Sequence, residues 1–162
     1  MDFFSDEYYM RKALAEAAAA AERGEVPVGA VAVLERTVIA KSGNMVEQLK
    51  DATAHAEMLA ITQAANTIGD WRLDKVTLYV TKEPCAMCAG AMVNAHLQKV
   101  VFAVPDAKYG ACGSALNICS LPGALWRVET GSGVLQTECL AQLQDFFKAV
   151  RARKKNGFLP EK

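Results

Sequence analysis

Two short segments of this sequence carry side chains suited to binding a soft metal ion. They are His55-Ala56-Glu57 and, further along the chain, Pro84-Cys85-Ala86-Met87-Cys88. Cys85 and Cys88 are three residues apart, so on the first turn of a helix their sulfurs point the same way, and a helix N-terminus favours the thiolate form. One imidazole and two thiolates form a typical ligand set for zinc. The pattern therefore predicts a zinc site made by His55, Cys85 and Cys88.

Glu57 lies two residues from His55, a spacing that places two side chains on nearly opposite faces in the middle of a helix. Both side chains can reach one site only where a helix begins. Glu57 then need not bind the metal, because its carboxylate can lie beside a metal-bound water and move protons. Three protein ligands with an open fourth position is the arrangement of a catalytic zinc. We therefore expect Glu57 to be a catalytic residue.

A structural zinc closed by a fourth protein ligand is the alternative. The chain has five cysteines, and an odd number in a sequence without an export signal indicates reduced thiols or metal ligands rather than a disulfide framework. The candidates for a fourth ligand are Cys112, Cys119 and His96. We expect Cys112→Ser and Cys119→Ser to retain bound zinc, and loss of zinc in either variant would favour the structural site.

Periodicity and capping residues predict the elements that position these side chains. Ser5 is a good N-cap for a first helix, Thr53 is a plausible cap for the helix that carries the His motif, and apolar strands flank the Cys motif. A strand–helix–strand crossover with apolar strands predicts an α/β sheet with helices on both faces. The pattern predicts helices over 6–23, 54–68, 85–96 and 136–155, and strands over 26–34, 37–41, 76–80, 100–104 and 126–130.

Length and composition predict one cytoplasmic domain. The chain has 162 residues and a mass of 17.4 kDa, which is typical of a single domain over 1–162. A hydrophobic content of 52% excludes a disordered tail or linker. The acidic N-terminus lacks the pattern of a signal peptide, and the longest apolar run, residues 26–34, is too short to be a membrane helix.

The combination of the two metal motifs is the signature of zinc-dependent base deaminases. Over nearly its whole length the sequence resembles the tRNA-specific adenosine deaminases of the cytidine-deaminase-like superfamily. The resemblance implies the three-layer α/β/α fold of that superfamily, with a mixed sheet of about five strands, one Zn²⁺ per subunit and a homodimer. It is carried by residues 24–30, 43–44, 53–58, 78–81, 83–91, 105–106, 110–114, 138–139 and 146–147.

The resemblance also implies a reaction and a partner. The reaction is the hydrolytic conversion of adenosine to inosine at the wobble position of a tRNA anticodon. In that chemistry Glu57 takes a proton from zinc-bound water, the resulting hydroxide attacks carbon 6 of adenine, and Glu57 delivers protons to the ring nitrogen and to the departing ammonia. The partner is accordingly the tRNA anticodon loop.

Five further positions match substrate-binding residues of the family. The resemblance implies that Asn44 hydrogen-bonds the purine edge, that the Ala56 amide faces the base and that Val28 forms an apolar wall. Asp106 and Lys108 match a loop beside the target nucleotide, where Asp106 would accept a hydrogen bond from a ribose hydroxyl. The residues alone leave simpler interpretations open, because Asn44 and Asp106 are both typical turn residues and a buried strand commonly contains a valine.

The chain also departs from the family pattern. Leu125-Trp126 stand where many members have Asn-His, His96 replaces a basic residue, and Ala52 replaces a proline. These changes leave the predicted zinc ligands intact and affect only the expected RNA contacts.

The zero net charge of the chain conceals an asymmetry. Residues 148–162 hold six basic residues and one acidic residue, a net charge of +5, which leaves −5 on the rest of the chain. This basic segment directly follows Phe146 and Phe147, and aromatic side chains beside cations suit an unstacked RNA loop. Alternatively, the two phenylalanines cap the core and the charges form a solvated face. We expect truncation after Phe147 to weaken tRNA binding and flatten its salt dependence.

Two other functions compete with tRNA editing. One is deamination of a free base or nucleoside, such as guanine or cytosine, with the same zinc chemistry, and the basic C-terminal segment argues against it. The other is a non-catalytic zinc domain that binds RNA, and Glu57 argues against it because a structural zinc does not require that residue.

Overall fold

A mixed sheet of five strands forms the centre of the fold in the computed structural model, which describes residues 2–157. In chain order the elements are α1 (Asp6–Glu22), β1 (Gly29–Leu34), β2 (Thr37–Gly43), α2 (Val46–Leu49), α3 (Ala56–Ile68), β3 (Val76–Lys82), α4 (Ala86–Asn94), β4 (Lys99–Val104), a short 3-10 helix (Ile118–Ser120), β5 (Glu129–Ser132) and α5 (Gln136–Lys155). The strand order is β2-β1-β3-β4-β5. β1 is antiparallel to both of its neighbours, whereas β4 is parallel to β3 and to β5.

Alternation along the strands divides the core into two layers. Ala30, Leu78 and Val100 face the layer formed with α3 and α4. The next residue on each of these strands faces the opposite layer, where α1 and α5 pack. Because successive strand side chains point to opposite faces, each strand joins both layers. The predicted three-layer α/β/α fold, with helices on both faces of about five strands, is therefore confirmed.

The helix α1 packs directly on β1. A side chain on Gly29 would overlap the backbone of Ala13 and Ala17, so only glycine permits this approach. The predicted N-cap is confirmed, because the Ser5 hydroxyl accepts a hydrogen bond from the amide of Tyr8 at 3.2 Å. At the other end of the chain, α5 covers 136–155 as predicted, and the last part of the predicted basic tail, 158–162, lies outside the described residues.

Several predicted boundaries differ from the structure. β2 and β3 each extend two residues beyond the predicted ends at 41 and 80, and α4 covers Ala86–Asn94 rather than 85–96.

The starts of three other elements also differ. The last strand begins at Glu129 rather than Trp126, because the amide of Val128 donates to Cys119 in the preceding loop and ladder bonding starts only at the next residue. The first strand begins at Gly29, because the amide of Val28 turns back to Val26. The helix with the His motif begins at Ala56 rather than 54, so Thr53 is not its cap.

No helix within residues 2–157 is both long and apolar enough to cross a membrane.

Candidate active site

His55 and Cys85 occupy equivalent places at the starts of two helices. Each is the N-cap residue with an extended backbone, His55 of α3 and Cys85 of α4. An N-cap side chain ordinarily accepts a hydrogen bond from the first turn of its own helix. Neither of these side chains does so. Both are therefore available for another partner at the positive end of a helix.

The two helix starts bring the three predicted metal ligands together. The Nδ1 atom of His55 lies 3.7 Å from the Cys85 sulfur and 3.6 Å from the Cys88 sulfur. A tetrahedral zinc with ordinary Zn–N and Zn–S bond lengths requires an N···S separation of about 3.6 Å. The three atoms thus have the spacing of ligands that share one ion, with the histidine bound through Nδ1. Within residues 2–157 the metal-binding cluster consists of these three residues.

The electrostatics of Cys85 favour a metal ligand. Hydrogen bonds from Cys88 and His55 lower the pKa of Cys85 to about 3, despite the opposing effect of burial. A group with this pKa is a thiolate at neutral pH, and the thiolate is the form of cysteine that binds metals.

The candidates for a fourth protein ligand have other partners. The sulfurs of Cys112 and Cys119 lie 3.3 Å apart and form a hydrogen bond with each other. The imidazole of His96 stacks on Trp126 at 4.7 Å between ring centroids and meets the Trp71 ring in a T-shaped arrangement at 5.2 Å. These contacts favour three protein ligands and an open fourth position over a closed structural site.

Glu57 is a buried carboxyl group in the first turn of α3, and only 4% of its surface is exposed. Burial raises its pKa above the ordinary value of 4.5. The pKa of the Cys88 thiol is raised by its hydrogen bond to Cys85, by burial and by the Glu57 carboxylate, which places Glu57 close to the ligand cluster. A carboxyl group with a raised pKa exchanges protons closer to neutral pH, as a general acid and base requires.

Asn44 is buried and is held on three sides. Its backbone amide donates to the backbone carbonyl of Val28 at 3.0 Å, and its backbone carbonyl accepts from the Arg23 guanidinium. Its Oδ1 accepts from the amide of Ala56 at 3.0 Å. The Ala56 amide, expected to face the base, is therefore bonded to Asn44. This bond fixes the orientation of the Asn44 side chain and leaves its Nδ2 group without a protein acceptor in the described part of the chain.

Val28 lies in the core layer shared with α3 and α4. Its carbonyl positions Asn44, as described above, and its side chain is 8% exposed. The placement is compatible with an apolar wall beside a base, and this role remains a prediction.

Glu83 is a buried carboxylate that sequence reasoning missed. It is 3% exposed and accepts hydrogen bonds from the amides of Asp106, Cys112 and Ser114 at 2.8 to 3.1 Å. A side chain on Gly110 would overlap the Glu83 carboxylate. Glu83 therefore anchors the loop that follows β4. The only sequence signal was an acidic residue between a buried strand and Pro84.

Glu25 plays a similar part in the segment that follows β2. It is also almost completely buried, and its oxygens accept from the amides of Glu47 and Gln48 at 3.1 and 2.8 Å. These bonds hold α2, the short helix that follows Asn44.

Asp106 lies at the start of the loop that Glu83 anchors. Its Oδ1 accepts from the amides of Lys108 and Tyr109, and its Oδ2 lies 2.6 Å from the Lys82 ammonium. Burial alone would raise its pKa, but these hydrogen bonds outweigh burial and lower it. The turn-forming role considered from the sequence is therefore present, and the ribose contact stays a prediction. Lys108 is exposed beside Tyr109, with its Nζ 5.2 Å from the ring centroid.

Phe146 and Phe147 lie on α5, which packs against the opposite face of the sheet from α3 and α4. Their rings meet edge to face at 5.5 Å, and Phe147 is exposed. Within residues 2–157 no ring contact joins either side chain to the ligand cluster.

Comparisons with known proteins agree with this geometry. Residues 4–151 match the family of MafB19-like deaminases. The tRNA-specific adenosine deaminase of Bacillus subtilis (strain 168) is 46% identical over 150 residues, which cover 93% of each chain. A solved structure from a study of A-to-I editing by tRNA:A34 deaminases at the wobble position superposes with a TM-score of 0.81 and 42% identity, covering 84% of this chain and 99% of its own.

A guanine deaminase from Nitrosomonas europaea shares the fold at 23% identity, with a TM-score of 0.75, over 88% of this chain and 84% of its own. This likeness concerns the fold alone. The relative with 46% identity over nearly its full length determines the family. The chain belongs to the tRNA-specific adenosine deaminases of the cytidine-deaminase-like superfamily.

Proposed function

We propose that this chain hydrolyses adenosine to inosine and ammonia at the wobble position of a tRNA anticodon. The observation that carries the proposal is a buried carboxyl group, Glu57, beside a cluster of one imidazole and two thiols with the spacing of zinc ligands. The family to which the chain belongs supports the choice of tRNA as substrate.

His55, Cys85 and Cys88 would hold the zinc. When bound, such an ion would lower the pKa of a coordinated water to about 7 and so make a nucleophile available at neutral pH. The thiolate form of Cys85 and the Nδ1 atom of His55 are suited to this role.

Glu57 moves the protons of the reaction. It accepts a proton from the attacking water and transfers it to N1 of adenine as the bond from oxygen to carbon 6 forms. It then takes the remaining proton from the new hydroxyl group at carbon 6 and passes it to the amino group, so that the carbonyl of inosine forms while the bond from carbon 6 to nitrogen breaks and ammonia leaves. Its burial keeps bulk water away and raises its pKa toward neutrality. General acid and base catalysis of this kind contributes about 10²–10⁴-fold to a rate.

Asn44 binds the purine. With its Oδ1 bonded to Ala56, its Nδ2 group remains a hydrogen-bond donor. The ring nitrogens of adenine are acceptors, so a donor at this position favours a purine edge. Val28 provides an apolar surface beside the ring.

The anticodon loop lies along the loop anchored by Glu83 and along α5. Tyr109 is 65% exposed next to the Lys108 ammonium, a combination that suits stacking on an unpaired base. Asp106 accepts a hydrogen bond from a ribose hydroxyl. The carboxylate uses a lone pair that is not occupied by its protein donors. Nucleotides of the tRNA further from the target adenosine contact α5 through Phe146, Phe147 and the cations of that helix.

We also propose that the chain forms one domain and acts as a cytoplasmic homodimer with one zinc per subunit. The large exposed apolar side chains of Trp71, Leu121 and Leu125 support the dimer, because a second copy would remove that apolar surface from water. Light scattering on the purified protein tests the dimer, and the mass of a single chain would refute it.

Incubation with an anticodon stem-loop bearing adenosine at the wobble position tests the function. Free adenosine, cytidine and guanine are assayed beside it. The proposal predicts inosine in the stem-loop and little turnover of the small molecules. Turnover of guanine or cytidine alone would replace it with a free-base or nucleoside deaminase, and zinc-dependent RNA binding without turnover would indicate a non-catalytic domain.

A further inference from the structure

Cys112 and Cys119 form a second pair of neighbouring thiols, outside the metal-binding cluster. Both are free cysteines, with 4% and 0% of their surfaces exposed. Their sulfurs lie 3.3 Å apart. Neither side chain is required by the reaction described above.

The backbone holds the two residues side by side. The chain folds back on itself between them, with an isolated bridge between Cys112 and Asn117 and a hydrogen bond of 2.8 Å from the amide of Ile118 to the carbonyl of Ala111. The amide of Cys112 is further fixed by Glu83. The short distance between the sulfurs is therefore set by the backbone and not by one flexible side chain.

We propose that Cys112 and Cys119 are a peroxide-reactive dithiol that closes to an intramolecular disulfide. A disulfide requires the sulfurs to approach to about 2.0 Å. Small rotations of the two side chains supply this approach, because the backbone already pairs across the loop. The oxidant class is a hydroperoxide, with hydrogen peroxide as its simplest member.

A small oxidant has a route to Cys112. This residue lines a surface cleft of ≈ 250 Å³ together with Pro105 and Thr130. One water molecule occupies about 30 Å³ in the liquid, and hydrogen peroxide is only slightly larger. The cleft therefore admits hydrogen peroxide even though little of the cysteine surface is exposed.

The reaction proceeds in two balanced steps. The Cys112 sulfur attacks one oxygen of hydrogen peroxide, the O–O bond breaks, and the products are a sulfenic acid and one water. The Cys119 sulfur then attacks the Cys112 sulfur, the S–O bond breaks, and the second water leaves with the Cys119 proton. Overall the two thiols lose two electrons and two protons, and one hydrogen peroxide is reduced to two waters.

The disulfide would close a short loop directly beside the site. The amide of Ala111 donates to the carbonyl of Pro84, the residue before the ligand Cys85. Oxidation therefore stiffens a segment that packs against the start of α4. Closure of a loop of this size restricts the unfolded chain and raises the thermal midpoint by about 5 °C.

Hydrogen peroxide treatment of the zinc-loaded full chain tests the proposal. We expect the intact mass to fall by about 2 Da and to return to its original value after treatment with dithiothreitol. We expect the zinc content to stay unchanged. Cys112→Ser and Cys119→Ser abolish the mass loss. Cys139→Ser retains it, because Cys139 is a buried free thiol in the opposite core layer and serves as the matched control.

Peptide mapping of the oxidised wild-type chain makes the result independent of how the variants fold. A disulfide-linked peptide pair containing Cys112 and Cys119 supports the proposal. Linkage of Cys85 to Cys88 with loss of zinc, or addition of oxygen to cysteine without any linkage, overturns it.

Discussion

The Oδ1 atom of Asn44 accepts the amide hydrogen of Ala56 at 3.0 Å, which ties the segment after β2 to the first residue of α3. Ala56 stands between His55, a proposed metal ligand, and Glu57, the proposed proton carrier. One hydrogen bond between residues twelve positions apart therefore links the side chain proposed to bind the base to the backbone that presents the proposed catalytic pair.

Asn44→Asp separates the two functions of this side chain. The carboxylate still accepts from the Ala56 amide, but it replaces the Nδ2 donor with an acceptor that repels a purine ring nitrogen. We expect normal folding and zinc content with kcat/KM on the stem-loop reduced by about 10²-fold or more. Asn44→Ala, which also removes the bond to Ala56, should in addition lower the free energy of unfolding by about 1–2 kcal/mol. An Asn44→Asp enzyme with wild-type kcat/KM would exclude the proposed purine contact.

Glu83→Gln tests the anchor of the loop after β4. The glutamine amide group would face backbone N–H donors and leave at least one of them unpaired. We expect the free energy of unfolding in urea to fall by about 2–4 kcal/mol. Glu22→Gln is the matched control, an exposed glutamate at the end of α1, and its change should stay within about 0.5 kcal/mol. Equal effects of the two substitutions would contradict the anchoring role of Glu83.

The sequence predicts an element well where its structure depends on residues close to one another in the chain. Ser5 caps α1, and the closing helix spans 136–155, as expected from capping preference and apolar periodicity. The residues of the metal-binding cluster are also recognisable from the sequence, because their spacing within each motif is short. Glu25 and Glu83 were not recognisable, since each binds amides more than twenty residues away and neither leaves a periodic pattern.

The start of α3 shows the same limit. Local preference favours Thr53 as the cap, but its hydroxyl donates to the Asp51 carboxylate instead. The amide of Ala56 donates instead to Asn44, which directly follows the end of β2. Tertiary contacts of this kind override local preference, and only the fold reveals them.

Asp106→Asn gives a prediction for the pH dependence of stability. The pKa of Asp106 is lowered below its ordinary value of 3.8, so its charge stabilises the folded chain above that pH, and this contribution is lost as pH falls through the lowered pKa. Because Lys82 is partly exposed, we expect the wild type to exceed the variant by only about 1 kcal/mol at pH 7. Urea unfolding from pH 7 to pH 3 should show this difference shrinking below pH 4. A difference that grows toward acid would contradict the assignment.

Substitution of cations on α5 by neutral residues tests the basic segment that begins at residue 148. Unlike truncation after Phe147, it leaves the length of the chain unchanged. Lys148→Gln with Arg151→Gln removes two exposed cations while preserving the helix. The slope of log affinity for tRNA against log salt should fall by about 1.4–1.8. The control is Arg36→Gln with Lys75→Gln, which also removes one arginine and one lysine. Arg36 follows β1 and Lys75 precedes β3, at the end of these two strands away from Cys85, so this variant should leave the slope unchanged. Identical slopes in both double variants would mean that the α5 charges form only a solvated face.

Glu57→Gln gives the most direct test of the central claim. The substitution preserves size and the three metal ligands but removes the group that carries protons. The measurement is inosine formed in the anticodon stem-loop, quantified together with zinc bound per chain. We predict wild-type zinc content with inosine formation reduced by about 10²–10⁴-fold. Full zinc content with undiminished inosine formation would remove Glu57 from the mechanism and contradict the proposed chemistry.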